Sequence, residues 1–64
     1  IEFINIGYPL VYKRTAGEQT ITVIINPSAE SQPLPEVSGK LLYRFGEGIA
    51  DGEIKGMSVV YLEG

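Results

Sequence analysis

The chain has 64 residues, a formal net charge of −3, and neither cysteine, histidine nor tryptophan. That length allows one small domain, which buries about 60% of its unfolded surface and has no disulfide or Cys/His-held zinc to reinforce it. The same absences exclude Ser-His-Asp and Cys-His catalysis. A hydrophobic fraction of 44% still argues for a packed core, since ordinary globular domains run at about 45–50%.

Lys13, Arg14, Lys40, Arg44 and Lys55 are scattered and make no basic stripe, so no nucleic acid partner is expected. No apolar run approaches the ~20 residues of a membrane helix, so no membrane partner is expected either. No signal-peptide pattern is present. The sequence opens on Ile1 and not on Met, and we expect residues 1–64 to be a single domain cut from a larger protein.

Residues 2–6 alternate loosely and predict a first strand. The alternative is that residues 1–7 are a linker. Gly7 and Pro9 bracket Tyr8 and predict a turn there. Residues 10–15, LVYKRT, predict the next strand, with Leu10, Tyr12 and Arg14 on one face and Val11, Lys13 and Thr15 on the other. Tyr12 and Arg14 are expected along its rim. Ala16-Gly17-Glu18 predicts a three-residue hairpin turn with Gly17 in the left-handed position. Gln19–Asn26 is the clearest strand in the chain, because β-branched residues fit a pleated surface and crowd a helix. Its inward triad is expected to be Ile21, Val23 and Ile25. Ile24 on the opposite face predicts partial cover there too, and hence a central strand.

Pro27 stops that strand. Residues 29–39 form a long polar connection in which Leu34 and Val37 are candidates to pin the chain onto the core. Its length predicts a crossing between sheets. Lys40–Phe45 predicts a strand with Leu41, Tyr43 and Phe45 on one face and Leu42 and Arg44 on the other. The glycine-rich run 46–56 predicts a loop with a short extended piece near Glu53 to Lys55. Residues 57–62 predict a last strand whose inward face is open, Met57, Val59 and Tyr61 competing with Val60 and Leu62. Short strands at close spacing with Gly and Pro punctuation define the class: all-β, a small antiparallel Greek-key β-sandwich of about five to seven strands.

Chemistry is sparse. Glu47, Asp51 and Glu53 cluster in the glycine-rich run, where acid–base work or calcium binding stands against a solvated acidic loop, and the spacing is not that of a calcium-binding helix-loop-helix. We expect the solvated loop, and neither catalytic residues, metal nor cofactor. The tyrosines have two readings, stacking on sugar rings or packing against a core or a neighbouring domain. Tyr8, beside a turn, is the one expected to be exposed and the candidate carbohydrate contact.

Residues 8–28, YPLVYKRTAGEQTITVIINPS, resemble the C-terminal all-β domain of the alpha-amylase superfamily of glycoside hydrolases. In that family a Pro-hydrophobic-hydrophobic-Tyr-x-Arg strand is followed by a Gly-containing turn and an aliphatic strand ending in Asn-Pro. Pro9, Tyr12, Arg14, Gly17, Asn26 and Pro27 stand at those positions. The later KLLYRFGEG and MSVVYLEG also resemble the domain's final strands, so the resemblance runs from about residue 8 to the end. It implies a non-catalytic C-terminal accessory domain that packs on the (β/α)8 catalytic barrel of its parent chain, an enzyme acting on α-glucosidic bonds. No position here matches that family's nucleophile or acid. The rival expectations are a binding module for starch-like α-glucans and a free-standing β interaction domain.

Overall fold

The β-branched run Gln19–Asn26 forms the central strand of the molecule. In a computed structural model describing all of residues 1–64, there is no helix, and eight strands follow in chain order. They are β1 (Glu2–Asn5), β2 (Leu10–Ala16), β3 (Gln19–Asn26), β4 (Gln32–Pro33), β5 (Lys40–Phe45), β6 (Ile49–Ala50), β7 (Glu53–Ile54) and β8 (Ser58–Glu63). Five of them make one antiparallel sheet in the order β1-β2-β3-β8-β5, and the three two-residue strands make a second in the order β4-β7-β6. The fold is all-β, two antiparallel sheets face to face, a small β-sandwich.

Residues 2–5 pair with β2 and are a strand, not a linker. The polar connection after β3 does cross between sheets: it passes through β4 in the small sheet and returns as β5 at the far edge of the large one. β8 then fills the place between β3 and β5. Leu34 and Val37 pack against the core, as expected of residues pinning that connection.

The core sits between the layers and is built from Val11, Ile24, Val60 and Leu62 of the large sheet with Ile54 of the small one. This inverts the expected orientation of β3. Ile24 is fully buried, flanked on its own face by buried Thr22 and Asn26, whereas Ile21 and Ile25 are only half-buried on the opposite side. Counting apolar residues favoured the Ile21, Val23, Ile25 face, and the second layer covers the other one. β8 follows the same sense: Val60 and Leu62 point inward, Val59 and Tyr61 outward, and Met57 lies before the strand.

Two local corrections follow from register. Ala16 pairs with Gln19, so the β2–β3 loop is the two residues Gly17-Glu18 and not three. Gly17 has φ +61, the conformation a type II′ hairpin requires at its first loop residue. In β5, Leu41 pairs with Leu62 but Tyr43 with Tyr61, a bulge that puts Leu41 on the inner side and Tyr43 on the outer.

Gly17→Val is expected to cost about 1–2 kcal/mol, the penalty of the left-handed region for an L-residue. A Cβ at this position meets nothing within 4 Å, so the loss is backbone strain alone. Thermal unfolding should show a Tm lower by roughly 5–15 °C for a domain this size. An unchanged Tm would mean that the turn adopts another type without penalty.

Candidate functional site

Because strand side chains alternate and the register is fixed, one face of the large sheet collects the outward set. Phe3, Tyr12, Val23, Tyr61 and Tyr43 are successive cross-strand partners, one from each of the five strands. A parallel row holds Leu10, Ile25, Val59 and Phe45, and a third, at the rim, holds Arg14, Ile21, Glu63 and Lys40. Strands about 4.8 Å apart spread the first row over roughly 19 Å. Nothing in the chain covers this face. Phe3 is 58% exposed, Phe45 59%, Tyr43 50% and Tyr61 39%.

The rings are paired at the two ends of the row. Phe3 and Tyr12 lie 5.9 Å apart between centroids and Tyr43 and Tyr61 5.3 Å, both tilted, in the range of favourable aromatic contacts. Between the pairs, Val23 is 4% exposed, shielded from both sides by Tyr12 and Tyr61. The space above it is a hollow of about 270 Å³, with Ile21 and Val23 as floor, Tyr12 and Tyr61 as walls, and Arg14 and Gln19 at its mouth. Gln19 Nε2 donates to Glu63 Oε2 at 2.9 Å, while the exposed Arg14 has no carboxylate bound to it.

A second polar constellation lies between the layers, and its work is structural. Asn26, fully buried, uses Nδ2 to donate to the carbonyls of Glu30 (2.8 Å), Ile54 (3.1 Å) and Lys55 (3.1 Å). Its Oδ1 accepts from the Ser28 amide (3.1 Å) and Ser28 Oγ (2.9 Å). Ser58, directly opposite Asn26 on β8, accepts from the Gly48 amide at 3.0 Å. Gly56 lies so close to the Ala29 carbonyl that a Cβ would stand 2.4 Å from its oxygen. These contacts tie the small sheet to the end of β3, and every bond of Asn26 to another residue type ends on backbone or Ser28.

The expected acidic cluster disperses. Asp51 sits at the tip of the β6–β7 hairpin with φ 55, Glu53 lies in β7, and Glu47 borders a hollow at the β5 edge. They form no group that could hold a metal ion. Tyr8 is 64% exposed and borders a shallow hollow of about 310 Å³ with Asn5, Pro33 and Pro35. That places Tyr8 in a different hollow from the one that Tyr12 and Tyr61 wall. Phe3 had no face assigned from the sequence, although it falls on the outward parity once residues 2–5 are a strand, and Val59 takes the outward side of the two left open for the last strand.

Comparison with protein-family models, with characterised proteins and with solved structures returns no match.

Proposed function

We propose that this chain is a non-catalytic accessory domain that docks through the outer face of its large sheet onto a larger catalytic domain. By the resemblance of residues 8–28, that partner is the (β/α)8 barrel of an alpha-amylase-like glycoside hydrolase and belongs to the same polypeptide. The observation that supports it is the bare aromatic face on a domain whose core is already closed on the other side. Four rings at about half exposure present on the order of 400 Å², at the size where a patch on a monomer acquires a function. Leu10, Ile25 and Val59 extend it toward the ~800 Å² per partner of a standard interface.

The test is a photo-reactive benzophenone side chain placed at residue 43 in the polypeptide encoded by the complete reading frame. Irradiation is expected to join residue 43 to the catalytic domain of the same chain. Crosslinks to nothing, or only to solvent-exposed loops of other proteins, would overturn the docking reading. Exposed Tyr8 beside its hollow supports the alternative, a module for starch-like α-glucans. That reading gains if maltooligosaccharide binds the isolated chain at millimolar strength or tighter and the binding is lost in Tyr8→Ala.

A further inference from the structure

Within the docking reading, on which this step rests, we infer that the hollow over Val23 is the anchor socket of the face. Its occupant is one aromatic side chain of the docked domain with a carboxylate beside it, the ring held between Tyr12 and Tyr61 and the carboxylate on Arg14. Size selects the ring. A cavity of about 150 Å³ takes up benzene, whereas sites for drug-sized ligands start at about 300 Å³, so 270 Å³ suits one side chain. Shape agrees with size, since two tyrosine walls and an aliphatic floor offer faces and edges for tilted ring contacts on three sides.

Charge selects the carboxylate. The chain as a whole is acidic, at −3, yet the outer face reverses that sign: it carries Arg14 and Lys40 against Glu63 alone. Glu63 accepts from Gln19 and makes no ion pair with Arg14, and of the charged residues on this face only Arg14 lines the hollow, its guanidinium unpaired at the mouth. Its planar fork matches a carboxylate in two-point contact. Anchors of this kind, an aromatic in a desolvated pocket next to an Arg pair, carry most of the energy of many interfaces.

The probe pair is 3-phenylpropionate and its neutral amide, titrated into the folded 64-residue chain and followed by amide chemical shifts in 15N-resolved NMR. The acid is expected to shift Ile21, Val23 and Tyr61, and to bind up to about fivefold tighter than the amide, the yield of one exposed ion pair. In Arg14→Gln the two probes should bind alike, and in Tyr61→Ala both should be lost while the dispersed spectrum shows the domain still folded. Equal binding of acid and amide to the unchanged chain, or shifts confined to residues outside the socket, would overturn the inference. So would maltotriose saturating the same residues, which would reassign the hollow to sugar. If the residue 43 crosslink forms while the probes fail, the docking reading stands and the socket falls; if the probes bind without the crosslink, the hollow takes an aromatic acid, but the docking reading falls and the anchor role with it.

Discussion

Asn26→Ala is expected to abolish cooperative folding at 25 °C, giving a flat amide spectrum and no thermal transition. The buried Asn26 amide is the shared donor of three carbonyls, those of Glu30, Ile54 and Lys55. Removing it also strips the Ser28 amide of its acceptor, while the Ser28 hydroxyl keeps the Glu30 carbonyl at 2.9 Å. Each buried group left without a partner costs about 1–3 kcal/mol. Two such losses equal the ~3–5 kcal/mol that a core of this size supplies without a staple. A two-state transition within about 1 kcal/mol of the parent chain would show that water reaches these carbonyls and replaces the amide.

Asn26→Asp sharpens the same point by keeping the shape and removing the donor. An ionised carboxylate only accepts hydrogen bonds, and here it would face three carbonyl oxygens in a buried site. Burial and those dipoles raise its pKa above the unfolded value, so the folded state binds the extra proton. Stability contributed by such a group is fully present below the unfolded pKa and is lost as pH rises through the folded one. The Asp variant should therefore be more stable at about pH 3.5 than at about pH 7, where an aspartate free in the unfolded chain is ionised. Equal stability at both would mean that the side chain has turned out to solvent.

In the sequence, Asn26 is legible only as a strand stop. Pro27 announces the end of β3, and nothing in Asn-Pro-Ser says that the asparagine faces inward, because the two carbonyls it holds in the small sheet lie 28 and 29 residues away. The strands themselves were readable: Gln19–Asn26 and Lys40–Phe45 follow directly from β-branched and alternating patterns. The facing of β3 was not. A strand with Ile21, Val23 and Ile25 on one side and Ile24 on the other is apolar on both, and which side closes first depends on where the second sheet lands. The small sheet carries its own sequence signal. Asp51-Gly52 joins Ile49–Ala50 to Glu53–Ile54 with positive φ at both loop residues, and Asp-Gly between short extended pieces is the type I′ hairpin signature. Residues 46–56 are therefore not a loop with one extended piece but a hairpin of β6 and β7, and the Ile54 it carries is the reason β3 faces as it does.

Ile54→Ala is the sharpest test of that facing. Ile54 is fully exposed to no solvent at all, at 0%, and is the only completely buried side chain that the small sheet contributes to the core. Truncating a buried Ile to Ala costs about 2–5 kcal/mol, transfer plus cavity, which lowers Tm by roughly 10–40 °C at this chain length. Ile21→Ala, on the half-buried outer face, should cost under about 1.5 kcal/mol, in proportion to the smaller apolar area it removes from cover. Had β3 faced as its composition suggested, the order would be the reverse. The Ile54 carbonyl is also one of the three oxygens that Asn26 holds, so the two positions act on the same small sheet. Residues sharing a contact are not additive: with Ile54 truncated and the small sheet loosened, Asn26→Ala should remove less than it does alone. A background stabilised by about 1 M sulfate, which strengthens burial by exclusion from the surface, brings all four variants into the measurable range. Fully additive losses there would separate the amide from the side chain and show that β7 is held by each independently.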